Sequence, residues 1–143
     1  MTTAASTTYT VPALNRPVAV LGAAAAAVVL NLIVWAIGAA AGGSFIMTDQ
    51  GKASSVAPGG VIVMSAVPLL IGLTVAVLVS YVWTGVLRTA AVVGSVLSIG
   101  TIALTVATDF DTASTIALSV MHVVLVPIIV IALEGVRRGI TAE

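Results

Sequence analysis

The chain has no cysteine and carries only five acidic and five basic side chains in 143 residues. Without thiols there is no disulfide framework, no thiol nucleophile and no Cys-ligated zinc or iron–sulfur centre. Charged residues make up 7% of the sequence, against roughly 25% in ordinary soluble domains. A water-soluble fold of this size needs a charged shell that this sequence cannot supply. A bilayer, by contrast, accepts apolar side chains on the outside of a bundle as readily as inside it. The net charge is zero and the charges are scattered, so the sequence shows neither a basic stripe for nucleic acid nor a polybasic run for a lipid surface.

What the sequence does have is apolar length. Val18–Ala41, Val61–Trp83, Thr89–Thr108 and Ala113–Leu133 are free of charge, and each is long enough at 1.5 Å per residue to cross a hydrocarbon core of about 30 Å. β-branched residues are common in these runs, which in water would favour strands. The runs lack the polar–apolar alternation of a barrel strand, and in lipid a helix satisfies its own backbone, so helix is the expected state. The predicted fold is all-α: a membrane four-helix bundle of two antiparallel helical hairpins, forming a single transmembrane domain over residues 16–138. Residues 1–15, rich in Thr, Ala and Ser, read as a flexible tail that need not pack, and residues 139–143 as a second short tail. The connections 84–88 and 109–112 are tight turns, whereas 42–60 is a longer loop rich in Gly, Ser and Ala and the natural place for an exposed recognition surface.

Orientation follows from the basic residues. Arg16, Arg88, Arg137 and Arg138 fall on one side of the predicted spans, and Lys52 lies on the other with Asp49, Asp109 and Asp111. The excess of Lys and Arg marks the cytoplasmic side, giving a multi-pass protein of the cell (plasma) membrane with cytoplasmic N- and C-termini. A cleaved signal peptide ending near Ala39–Gly43 is disfavoured, because the first apolar run exceeds the 7–15 residues of a signal core.

Ionisable residues inside a membrane are functional candidates by default, and His122, near the middle of span four, is the sole histidine. Ser119 and Thr115 precede it at helical spacing, so one face carries a polar line, and Pro127 withholds an amide proton one turn further on. Asn31 in span one lies at a similar depth. The four residues form a candidate intramembrane polar site, either a proton relay, a gate or a ligand contact, or simply an interhelical hydrogen bond between Asn31 and His122. Small residues on span three (Gly94, Ser98, Thr101, Thr105, Thr108) and span two (Ser65, Gly72, Ala76) read as helix-packing stripes, as do the Gly22/Ala26 and Gly38/Gly42 pairs. Asp111 stands where span four begins and is expected to cap it rather than to bind a cation with Asp109. Glu134 is expected to pair with Arg138 at i, i+4. Tyr81 and Trp83 read as interfacial anchors, and Trp35 is the remaining conspicuous aromatic. One histidine cannot provide two haem nitrogens within a chain, no metal or catalytic residue is expected, and no cofactor is called for.

The stretch from Asp111 to His122 (DTASTIALSVMH), with an arginine before span one, an asparagine within it and a Gly-rich loop after it, resembles an actinobacterial family of small four-helix integral membrane proteins of uncharacterised function. The resemblance implies the fold and a high-GC Gram-positive source, and carries over no catalytic residue. The functional expectation is a non-enzymatic structural, accessory or interaction protein, whose partners are the lipid bilayer and a homo-oligomer or larger membrane complex, not nucleic acid. The alternative is a small oligomeric transporter or channel using His122 and Asn31.

Overall fold

The computed structural model describes residues 11–49 and 51–141. Four helices dominate: α1 (Arg16–Ala40), α2 (Pro58–Val79), α3 (Val86–Ala107) and α4 (Thr112–Thr141). All four are long and apolar enough to cross a membrane, as in a multi-pass membrane protein. The side chain of Asn15 starts α1 by accepting the Val18 amide at 2.9 Å, and Pro17 and Pro58 sit in first turns where a missing N–H costs nothing.

The 42–60 segment differs from the loop expected. It contains a two-stranded antiparallel hairpin, β1 (Ile46–Asp49) and β2 (Lys52–Ser55), in which Ile46 pairs with Ser55 and Asp49 with Lys52. Gly51, with φ 78°, stands in the turn between them, where a left-handed backbone suits glycine. So short and polar a hairpin has no apolar period to announce it, and its stability comes from what it is tied to.

Both expected tails also need correction where they are described. Residues 1–10 and 142–143 lie outside the described residues. Leu14, assigned to the unpacked tail, donates its amide to the Gly135 carbonyl at 2.9 Å and packs on α4, where Gly135 and Gly139 leave room for it. The segment after residue 138 is not a separate tail, since α4 continues to Thr141. Helix propensity and the Glu134 pairs carry the backbone beyond the end of the apolar run.

α1 packs against both α2 and α4, and α4 against α3, while α2 and α3 touch only lightly although residues 80–85 join them. The core falls into two clusters. Ala19, Ala23 and Ala27 of α1, four residues apart, present a stripe to Leu69 and Leu73 of α2 and Leu133 and Val136 of α4. Without a hydrophobic drive between helices in lipid, such small residues gain dispersion contact by letting backbones approach. The second cluster gathers Val61, Leu118 and Met121 around Phe45 at the hairpin end of the bundle. Outer faces are apolar, with Leu21, Ile37, Ile71, Val96 and Leu104 all exposed, which suits hydrocarbon solvent and not water.

Candidate functional site

Among the described residues the four members of the expected intramembrane site form no single hydrogen-bonded cluster: only Ser119 and Thr115 are joined. Asn31, buried in α1, donates Nδ2–H to Ser65 Oγ of α2 at 2.9 Å. His122 turns its Nδ1 to the Leu118 carbonyl of its own helix at 2.7 Å. A carbonyl only accepts, so Nδ1 carries the proton there. The neighbouring helix engages the backbone of His122, whose carbonyl accepts Ser98 Oγ–H of α3 at 2.7 Å. Ser119 Oγ–H is spent on the Thr115 carbonyl at 2.7 Å, and Thr115 Oγ1 reaches the Phe110 carbonyl at 3.5 Å.

Of the two alternatives, the interhelical Asn31–His122 bond is not made: Asn31 bonds Ser65 across α1 and α2, the His122 ring bonds its own helix, and α3 meets only the His122 backbone carbonyl, through Ser98. Equal depth in two helices fixes height and not direction. Met121, whose side chain packs in the cluster with Leu32 and Trp35 of α1, precedes His122, and one residue rotates a helical side chain by about 100°. The Asn31–Ser65 pair lies between the two apolar clusters: Ala27 and Leu69 belong to one, and Leu32 and Val61 pack in the other. Asn31 Oδ1 is buried without a hydrogen-bond partner among the described residues.

The denser polar constellation is at the hairpin end, and it starts from the residue expected to cap α4. Asp111 Oδ1 accepts the Ser114 amide at 2.9 Å, which is the capping role. Its Oδ2 accepts Ser114 Oγ–H at 2.6 Å and both the amide and the hydroxyl of Ser44, at 2.9 and 2.8 Å. Ser114 Oγ in turn accepts the Phe45 amide at 2.8 Å. Those bonds, from Ser114 first and then Ser44, hold the Asp111 carboxyl well below the usual carboxylate range. Asp109 adds a further tie by accepting the Thr48 amide of β1 at 2.9 Å. The two aspartates are thus used as anchors for the hairpin. Among the described residues no three His, Asp or Glu side chains gather in a way that could hold a metal ion.

Phe45 is the wedge of this arrangement. It is 2% exposed and sits with φ 53°, a left-handed conformation unusual for a bulky residue. Its carbonyl accepts the Val56 amide at 2.8 Å, closing the loop on which the hairpin stands. Trp35 is no free-standing aromatic: it stacks on Phe45 and donates Nε1–H to the Val56 carbonyl at 2.9 Å. Gly38 admits the wedge, since a Cβ there would stand 2.6 Å from Ala117 Cβ and 2.8 Å from the Phe45 ring. Sequence reasoning missed Ser44, Phe45 and Ser114. The serine three residues after Asp111 was the available signal for a shared cap, but nothing local announces which distant amide such a cap will recruit.

At the opposite end, Arg16 lies over the Tyr81 ring at 4.1 Å, a cation–π contact. Tyr81 and Trp83 are exposed on the α2–α3 turn, as interfacial anchors would be. The expected Glu134–Arg138 pair is present at 3.0 Å, joined by a chelating pair from Arg137 at 2.7 and 2.6 Å. Of the small-residue stripes, Gly38 and Gly94 mark true close approaches, Gly94 to Ile129, while Gly22 and Gly72 face open space.

The chain belongs to a family of unknown function, DUF6069, whose model matches residues 11–139. Nothing among the curated proteins and nothing among the solved structures matches it.

Proposed function

We propose, with membership of DUF6069 as the premise, that the chain is a structural or accessory component of the cell membrane, built to associate with itself or with a larger membrane complex and not to catalyse a reaction. Both termini are cytoplasmic in this reading, and the cell is a high-GC Gram-positive bacterium. The observation that carries the proposal is where the intramembrane polar groups go. His122, Ser119, Thr115, Ser98 and Asn31 each bond a backbone or a partner helix within the bundle, as packing elements do. α3 supports the association, because Leu87, Ser98 and Thr105 are its buried residues and a run of its apolar side chains, Val93, Leu97 and Leu104 among them, is exposed. The orientation is supported by Arg16, Arg88, Arg137 and Arg138 standing at the end opposite the hairpin.

A cysteine-free chain makes the test direct. Single cysteines at Leu97 or Leu104 on the outer face of α3 should give cross-linked species in native membranes, and one at Leu21 on α1 should not. A maleimide that cannot cross the membrane should label Ala53→Cys in whole cells and leave Thr141→Cys unlabelled until the cells are opened. A monomer at every α3 position would overturn the accessory reading.

The second reading, a small oligomeric transporter or channel at His122 and Asn31, draws on one observation: Asn31 Oδ1 offers an unclaimed acceptor at mid-bundle. A transported group would have to reach it between α1 and α2, away from the imidazole.

A further inference from the structure

The sequence contains no polybasic run, but the fold assembles a basic site from distant residues. Arg88 in the first turn of α3 and Arg137 near the end of α4 line one groove between the two helices, a cavity of about 550 Å³ whose remaining walls include Ala91, Val96 and Val130. The groove has a charged mouth and an apolar floor. From Arg88 to Val96 the helix rises about 12 Å, directed from the chain-terminal end toward the middle of the bundle.

The charges at the mouth do not balance. Glu134 also lines the groove, but it is already engaged by Arg137 through Nε and Nη2 and by Arg138 through Nε. Arg88 makes no ion pair among the described residues. Two guanidiniums and one carboxylate therefore line the groove, and that carboxylate is shared with Arg138 outside it. The chelated Glu134 also fixes the plane of Arg137, leaving its other nitrogen free to donate, and a guanidinium so held is preorganised for a phosphate or carboxylate.

We propose that this groove binds an anionic phospholipid, its phosphate between Arg88 and Arg137 and the start of an acyl chain along Ala91, Val96 and Val130. Charge complementarity argues for an anion at the mouth. The apolar floor argues for a lipid rather than a free phosphate, which would leave the floor uncovered. The inference rests on the membrane reading and goes beyond it by naming a ligand class and the residues that select it.

The test uses the full chain in nanodiscs containing equal amounts of phosphatidylglycerol and phosphatidylcholine, with the lipid retained on release read by native mass spectrometry. Wild type should retain phosphatidylglycerol preferentially. Arg88→Gln and Arg137→Gln should each lower that preference about fivefold, in line with the contribution of one basic residue near an anionic lipid. Val96→Trp should reduce retention of the lipid by filling the floor, and Lys52→Gln at the far end should change nothing. Equal retention of the two lipids by wild type, or an unaltered preference in both arginine variants, would overturn the proposal while leaving the membrane reading intact. Displacement of the lipid by excess inorganic phosphate would overturn the lipid assignment and point to a free anion. A chain that does not enter nanodiscs would sink the membrane reading and this inference with it.

Discussion

Phe45 stacks on Trp35 with ring centroids 5.5 Å apart and planes inclined by 28°, so the hairpin is wedged into the bundle rather than suspended from it. A left-handed backbone at a bulky residue costs roughly 1–3 kcal/mol, and the burial of the ring together with the Ser114 and Val56 bonds offsets that cost. Replacing Phe45 by Ala should destabilise the protein by about 3 kcal/mol, the usual cost of emptying a buried aromatic site. Unfolding in mixed micelles by detergent titration, followed by the fluorescence of Trp35 in a Trp83→Phe background, reads it. A loss below about 0.5 kcal/mol, the size of an ordinary surface substitution, would contradict the wedge.

Acid should release the same hairpin. The folded Asp111 carboxyl lies below its ordinary value of 3.8, so its contribution is complete above that value and fades as the pH falls from there toward the folded one. Trp35 emission in the Trp83→Phe background should therefore be flat through neutral pH and change below about pH 4. In Asp111→Asn the hairpin should be looser at every pH and lack this acid transition. An unchanged transition in Asp111→Asn would assign it to another group.

Gly38 is the point at which α1, α4 and the wedge converge. Gly38→Ala places a methyl group 2.6 Å from Ala117 Cβ, and neither backbone can yield without opening the helix pair. The expected cost is about 1–3 kcal/mol, as for other overpacked sites. Gly22→Ala, facing open space, serves as the neutral comparison, and equal stability of the two variants would refute the close packing.

Much of this architecture is readable in the sequence, for a physical reason. The length and apolarity of the four runs are properties of single segments, and lipid leaves a lone segment little choice but helix. The cap at Asp111 and the Glu134–Arg138 pair are legible for the same reason, since both partners lie within one turn. The recruitment of Ser44 by Asp111, the docking of Leu14 on Gly135 and the choice of Ser65 by Asn31 depend on how helices rotate against each other. Depth along a helix is countable from a sequence, and azimuth is not. That is why Asn31 and His122, matched in height, can meet on a count of depth and yet do not: Asn31 bonds α2 and the His122 ring bonds its own helix.

The Asn31–Ser65 pair gives a test of its own. Ser65→Ala removes the partner and leaves the amide buried, at a cost of about 1–3 kcal/mol. Asn31→Leu with Ser65→Ala removes both polar groups and should stand closer to wild type than Ser65→Ala alone. The opposite order, measured by the same detergent titration, would mean that Asn31 is retained by some other partner.

The most direct test of the accessory reading is proton and ion flux into liposomes containing the purified protein, with His122→Ala measured alongside and the oligomeric state determined on the same sample. No flux above that of protein-free liposomes is expected from either protein, at equal incorporation. A flux carried by wild type and lost in His122→Ala would contradict it and establish the imidazole as part of a transport path.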